Sequence, residues 1–246
     1  PSFPTRRSSD LYLLRRLQQV GGKFVGGINL HNNLPSMREH EIADLDAVYG
    51  GQETLFNVTS NGSLTLSNRN PDPPVYNPLD PRLQQYVYDM VSEFMDLYGN
   101  EPALSGLALR LQGHMNLWFG LGGGGIGYND CNAAAFARDV GIAIPEGSDG
   151  GERFAARHQW LKENAWEQWI NWRCEKIAAF WQGIADRIQG VRPDVRLYVD
   201  GTFLNMRDLY EPEDHNRKLR EAGLDSSLFT NSSSVVLGVW QGPADY

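Results

Sequence analysis

The sequence predicts an α/β fold, specifically a partial (β/α)8 TIM barrel with a β-hairpin insertion and long βα loops. Apolar runs typical of strands alternate with helical patterns along the chain, which favours a parallel sheet with crossover helices. Polar and aromatic insertions follow the strand ends, whereas the helix-to-strand connections are tight, as in a barrel whose βα loops build the active face. The alternation alone fits a doubly wound sheet equally well.

The chain opens with PSFPTRRSSDL, a run that matches a translated sequencing-adapter oligonucleotide. We therefore expect residues 1–11 to lie outside the natural domain, and residues 12–246 to form a partial barrel domain truncated at both ends. Residues 11–20 carry apolar side chains at helical spacing and stop at Gly21-Gly22, a pair typical of helix ends. The run FVGGINL at residues 24–30 predicts the first strand.

The next segment predicts an insertion followed by the clearest helix of the chain. Residues 53–67 alternate apolar and polar side chains around Asn61-Gly62, which is a strong hairpin signal. Asp80-Pro81 predicts a helix start with Asp80 as the N-cap, and apolar residues recur at helical spacing over residues 82–98. The run LSGLALRL at residues 104–111 then predicts a buried strand.

The second half of the chain repeats the alternation. Residues 133–140 predict a short helix, and residues 151–190 predict a long helical region broken near Asn164. The tryptophans of this region have the spacing of packing residues, so we expect them in the core. Strands are predicted at residues 195–199 and 234–239, on either side of a helix at residues 213–222.

The composition argues against several functional classes. The chain has 22 basic and 30 acidic residues and a formal net charge of −8, so it lacks the basic surface of nucleic-acid-binding or membrane-binding proteins. No apolar run approaches the roughly 20 residues of a transmembrane helix. Cys131 and Cys174 have no metal-binding spacing. We therefore expect no cofactor, no metal, no nucleic-acid partner and no membrane partner.

The candidate site residues follow the ends of the predicted strands, where a barrel places its active face. Seven tryptophans and ten tyrosines supply rings that stack on sugars, and hydrolysis of a glycosidic bond requires two carboxyl groups. Asp130 and Asp200 are the carboxylates with this placement, and we predict them to be catalytic. The residues predicted to bind substrate lie in the same loops: His31, Asn32, Arg110, Gln112, His114, Trp118, Tyr128 and Trp240.

Each of these residues also has an ordinary structural explanation. Asp130 could cap the helix that follows it, and Asp200 begins an Asp-Gly turn dipeptide. His31 and His114 could be hydrogen-bonded structural histidines. Arg110 lies on a strand predicted to be buried, so we expect a carboxylate partner for it.

Three segments, residues 76–111, 127–145 and 153–199, resemble uncharacterised bacterial glycosyl-hydrolase-like barrel proteins. They are similar to the clan of β-galactosidase-type and family-10-like glycoside hydrolases, and the resemblance covers about three quarters of the chain. It implies a (β/α)8 barrel and a carbohydrate substrate. Members of that clan have Asn-Glu at the end of the fourth strand, whereas residues 104–111 are followed by Gln112-Gly113-His114. An acid/base role for Asp130 is therefore an analogy by position.

The leading hypothesis is a glycoside-hydrolase-like domain that acts on an oligo- or polysaccharide by carboxylate acid/base catalysis. Two alternatives remain open at this stage. A non-catalytic carbohydrate-binding barrel would keep the aromatic residues and lack the carboxylate pair. A metal-dependent barrel hydrolase or lyase would need a cluster of histidines and carboxylates.

Overall fold

A computed structural model of the chain describes residues 7–28, 30, 34–65, 75–111, 117–120, 125–145, 150–201 and 212–239. Its elements alternate as the sequence predicts. The helices are α1 (Arg7–Gln19), α2 (Leu45–Tyr49), α3 (Pro81–Tyr98), α4 (Asp130–Val140), α5 (Glu152–Asn164), α6 (Trp166–Val191) and α7 (Pro212–Glu221). The strands are β1 (Phe24–Ile28), β2 (Leu104–Leu111), β3 (Arg196–Gly201) and β4 (Val235–Val239), and short 3-10 helices cover Pro35–His40 and Ser226–Phe229.

The strands form one parallel sheet in the order β1-β2-β3-β4. This arrangement confirms the predicted α/β fold with a parallel sheet and crossover helices. The described residues form an open sheet with β1 and β4 at its edges, and they do not close an eight-stranded barrel. The strands lie side by side in chain order, because each long connection returns the chain to the next position of the sheet.

One face of the sheet is buried by α3 and α6, which also pack on each other. Side chains alternate between the two faces of a strand. Leu107 and Leu109 of β2 and Val199 of β3 accordingly point into the helix layer and are buried. The opposite face, which would be the inner face of a barrel, carries the partly exposed Ala108 and Tyr198.

The predicted hairpin is present as a set of short antiparallel bridges. Val58 pairs with Leu64 around a turn in which Gly62 has a φ of +83°, a left-handed conformation that suits glycine. A third extended segment pairs with this hairpin. The backbone N–H of Asn57 donates to the Val75 carbonyl at 2.9 Å, and Phe56 pairs with Tyr76. The insertion therefore has three segments where the sequence predicts two.

Helix ends agree with the sequence in most places. The Asp80 carboxylate caps α3 by accepting a hydrogen bond from the Arg82 amide at 2.9 Å. The long helical region breaks at Ala165, next to the predicted Asn164. Helix α1 begins at Arg7, inside the run that we expected to lie outside the domain, and the Asp10 carboxylate accepts a hydrogen bond from the Tyr98 hydroxyl at 3.1 Å.

The structure also shows the state of the two cysteines and the character of the described helices. Cys131 and Cys174 are free thiols. None of the described helices has the length and apolar character that crossing a bilayer requires.

Two adjacent glycines of β1 test which face of the sheet is packed. A Cβ on Gly26 would lie 2.6 Å from the Phe94 ring of α3, whereas a Cβ on Gly27 would meet nothing within 4 Å. We expect Gly26→Ala to lower the free energy of unfolding by about 1–3 kcal/mol through overpacking. Gly27→Ala, the matched control, should leave it nearly unchanged. Urea unfolding of both variants measures the difference, and equal effects would contradict the assigned faces.

Candidate active site

Arg110 and Asp200 lie side by side at the carboxyl end of the sheet. The parallel register of β2 and β3 pairs Arg110 with Asp200 and Leu111 with Gly201. Both side chains lie on the inner face, because their neighbours Leu109, Leu111 and Val199 are buried against the helices. The expected carboxylate neighbour of Arg110 is thus Asp200. This position, at a strand end and on the inner face, is where TIM-barrel enzymes place catalytic groups.

The electrostatics of Asp200 favour its protonated form more than those of an ordinary aspartate. Partial burial raises the pKa of the Asp200 carboxyl group, and the positive charge of Arg110 opposes that rise. A carboxyl group with a raised pKa can hold a proton at a higher pH and donate it to a leaving group. Asp200 consequently has the placement and the pKa shift of a general acid.

Asp130 is held in a different environment. It is the first residue of α4, directly after the N-cap position Asn129, and it accepts hydrogen bonds from two arginines of α5. Arg153 Nη2 donates to Oδ2 at 2.6 Å, and Arg157 Nη2 donates to Oδ1 at 2.6 Å. Burial raises the pKa of Asp130, but the two guanidinium groups outweigh it and hold the pKa below its usual value. Asp130 is therefore an ionised carboxylate with both oxygens occupied.

The arginines that hold Asp130 also bind backbone carbonyls of α2 and of the segment before α4. Arg153 is 8% exposed and donates to the carbonyls of Val48 at 2.6 Å and Tyr49 at 3.0 Å, at the end of α2. Arg157 donates to the carbonyl of Tyr128. These bonds connect α2, α4 and α5, so Asp130, Arg153 and Arg157, which we call the Asp130 cluster, hold these three helices together. The geometry favours a structural role for Asp130 over the predicted role as an acid catalyst.

Two residues predicted to contact substrate are buried. Trp118 is 0% exposed and belongs to the main hydrophobic cluster, so its ring offers no free face to a sugar. Tyr128 is also 0% exposed, and its hydroxyl lies 2.6 Å from His158 Nδ1. Trp118 follows β2 and Tyr128 precedes α4, as expected for residues of the site. Both rings nevertheless pack into hydrophobic clusters. Neither side chain is exposed to a ligand in this structure, and their contact with substrate stays a prediction.

The other predicted substrate-binding residues lie outside the described part of the chain: His31, Asn32, Gln112, His114 and Trp240. Their place in the site stays a prediction. Arg110 is the predicted substrate-binding residue that the structure places on the inner face beside a carboxylate.

Sequence reasoning missed a second carboxyl group with a raised pKa. Glu53 precedes the hairpin, and burial raises the pKa of its carboxyl group, although a hydrogen bond with Cys131 opposes the rise. The same contact and burial raise the pKa of the Cys131 thiol. Glu53 follows no strand end and stands in no recognisable motif, so its placement depends on how the insertion folds against α4.

A groove of about 450 Å³ opens on the helix side of the molecule, between α3, α4 and α6. Its walls include Tyr88, Trp172 and Phe180, with Arg138 and Lys176 at the polar end. None of the predicted site residues lines it. Within the described ranges, no group of three or more histidine, cysteine, aspartate or glutamate side chains is arranged to hold a metal ion.

The fold is similar to that of glycoside hydrolases of known structure. The catalytic domain of β-amylase from Paenibacillus polymyxa matches with a TM-score of 0.57 and 12% identity, over 94% of this chain and 64% of that one. The β-galactosidases of Marinomonas ef1 and Rahnella sp. R3 match with TM-scores of 0.46 and 0.47 and identities of 13% and 12%. They cover 76% and 83% of this chain and 28% and 29% of their own.

No protein-family model and no curated protein matches the chain. The chain spans 64% of the β-amylase catalytic domain. The predicted glycosyl-hydrolase-like fold is confirmed at the level of the fold, and the likeness extends to no particular family or clan.

The Asp130 cluster predicts a large stability effect from one carboxylate. Asp130→Asn removes the charge that pairs with two nearly buried arginines, and we expect it to lower the free energy of unfolding by about 3 kcal/mol, because unpaired buried charges are costly. Asp194→Asn is the matched control: Asp194 also pairs with an arginine, Arg192, but in an exposed position. Urea unfolding measures both variants, and equal losses would contradict a structural role for the cluster.

The same carboxylate predicts a dependence of stability on pH. Because the folded protein lowers the pKa of Asp130, the stabilisation is present above the ordinary aspartate pKa of about 3.9 and is lost as the pH falls through the folded value. Acid unfolding of the wild type should show this loss, and Asp130→Asn should lack that part of the pH dependence. A variant with an unchanged acid profile would show that Asp130 does not titrate in the unfolding transition.

Proposed function

We propose that this chain is a glycoside-hydrolase-like domain that acts on an oligo- or polysaccharide, with Asp200 as the general acid. The observation that carries the proposal is the place of Asp200, at the carboxyl end of β3, on the inner face and beside Arg110. The fold likeness to the catalytic domain of a β-amylase supports the class of reaction.

The two aspartates have separate roles in this proposal. Protonation of the leaving-group oxygen needs a carboxylic acid with a raised pKa, and Asp200 has the required direction of shift. Asp130 stays ionised, and both of its oxygens accept hydrogen bonds from arginines, so we assign it to holding α4 and α5 together. Arg110 would orient the Asp200 carboxyl group or bind a sugar hydroxyl at the same sheet edge.

We also propose that the described sheet is part of a larger barrel. The inner face is open along Val25, which is 43% exposed, and along Gly27, next to which a Cβ would meet nothing. The interior of a TIM barrel is filled by side chains from all its strands. Further strands would cover this face, complete the site around Asp200 and supply a second carboxyl group.

Substitution of Asp200 tests the proposed chemistry. In a polypeptide that releases reducing sugar from a panel of glycans, Asp200→Asn should lower kcat about 10²–10⁴-fold, as expected for the loss of a general acid. In the wild type, kcat/KM should fall as the pH rises through the raised pKa of Asp200. Asp194→Asn, an exposed change before β3, should keep full activity.

Glycan binding and turnover are measured together in this experiment. Turnover lost with binding retained supports Asp200 as the acid. Glycan binding by a wild type without turnover would favour a carbohydrate-binding barrel, and full activity of Asp200→Asn would remove Asp200 from the mechanism. The assay is run both on the 246-residue chain and on the longest reading frame that encloses it, which tests the larger barrel at the same time.

A further inference from the structure

Helix α6 buries an arginine that has no acceptor. Arg173 is 0% exposed, and in the part of the chain that the structure describes its Nε, Nη1 and Nη2 atoms have no hydrogen-bond partner. Nearly all buried polar groups of proteins are hydrogen-bonded, and a buried charge is normally paired. An unpaired guanidinium in this position therefore calls for an explanation.

A second buried donor without a close acceptor lies beside this guanidinium. Trp169, one helical turn earlier in α6, is also 0% exposed, and its indole Nε1 makes no hydrogen bond of ordinary length among the described residues, although it is directed towards the Tyr128 hydroxyl and lowers the pKa of that group. The Arg173 Cζ atom lies 5.7 Å from the centre of the Trp169 ring and 3.9 Å from that of Phe119. The donors thus belong to one enclosed cluster, which we call the Arg173 cluster: Phe119, Trp169 and Arg173.

The groups around the Arg173 cluster supply little negative charge. Glu221 is a carboxylate whose charge acts on Arg173, but its Oε1 atom accepts a hydrogen bond from Arg217 at 3.2 Å. The Tyr128 hydroxyl, which the charge of Arg173 also influences, is bound to His158. Burial lowers the pKa of Arg173 to about 10, so the guanidinium keeps its charge at neutral pH. The cluster therefore presents a positive charge and only donor groups.

We propose that the Arg173 cluster binds one small monovalent anion, either a halide or the carboxylate of a small ligand. An anion accepts hydrogen bonds and donates none, so it satisfies the guanidinium and the indole N–H together and neutralises the buried charge. Because Arg173 and Trp169 are both 0% exposed, the site is restricted to a small ion and has no access for a sugar or a nucleotide. Trp169 and Arg173 lie in the first half of α6. The proposed anion site is independent of the proposed glycosidase activity.

Thermal unfolding at constant ionic strength tests the site. An anion that binds only the folded state stabilises it by mass action. With HEPES as the background anion, sodium chloride or sodium bromide at about five times its Kd should raise the Tm of the wild type by about 2–4 °C. A parallel titration with sodium acetate distinguishes a carboxylate from a halide, and a rise with either salt supports the proposal.

Two variants and one control assign the effect to this cluster. Arg173→Met removes the charge at similar volume, so it should lose the anion response and unfold no earlier than the anion-free wild type. Trp169→Phe keeps an aromatic ring at this position, removes the N–H donor and should weaken the response. Arg187→Met is the control, because Arg187 also packs on an aromatic ring, Tyr88, at 3.6 Å but is exposed. It should respond as the wild type does.

Calorimetric titration of the wild type keeps the test decisive if Arg173→Met fails to fold. Sodium bromide or sodium acetate should show saturable binding to one site, and Trp169→Phe should bind more weakly. The proposal is overturned if neither salt binds saturably and neither shifts the Tm of the wild type. It is also overturned if the Arg173→Met response equals that of the wild type.

Discussion

The packing of α3 and α6 against one face of the parallel sheet is the constraint on which the other features depend. Because successive strand residues point to opposite faces, the burial of Leu109 and Val199 under these helices sends Arg110 and Asp200 to the other face. The same alternation keeps Gly27 and Ala108 on that inner face. The position of Arg110 and Asp200 on the inner face thus follows from the burial of apolar side chains on the helix face of the sheet.

Buried polar side chains hold the insertion against the start of α4. Asn129 accepts a hydrogen bond from the Val58 amide at 3.1 Å and donates to the Phe56 carbonyl at 2.9 Å. Asn77 and Asn132 exchange hydrogen bonds at 3.0 and 3.1 Å. The strands of the insertion pair only briefly, so the Asn129 side chain satisfies backbone groups that a regular ladder would otherwise satisfy. Together with the Asp130 ion pairs, they join the hairpin to α4 and α5.

The sequence predicts the sheet and its helices well because their signals are local. The run at residues 104–111 is a strand at its predicted bounds, and Asp80-Pro81 begins α3 as expected. Helix α2 covers only Leu45–Tyr49 and is too short to show a helical period. The short 3-10 helices escape prediction for the same reason.

The site is less predictable, because burial depends on long-range contacts. Trp118 and Tyr128 follow the segments expected at the site, yet both are fully buried, and the Tyr128 ring packs against Trp169, which is far away in sequence. Asp130 is recognisable as a residue at a helix start, but its two arginine partners come from α5. Arg173 carries a local signal that was available: it stands four residues after Trp169 and four before Ile177, on the apolar side of α6. A charge at such a position indicates a buried cation.

The connections between the strands also determine when the sheet can assemble during synthesis. Phe24 pairs with Leu104, and Gly106 pairs with Arg196, so each pairing joins distant parts of the chain. The link from α3 to β2 is short by comparison, and Arg192 later fastens it by donating to the Gly99 carbonyl at 2.8 Å. Pairings of this kind form slowly, because loop entropy is lost before contacts compensate for it. On the ribosome, the edge of β1 therefore stays unpaired until β2 emerges. During this interval the exposed strand edge is what a chaperone would protect.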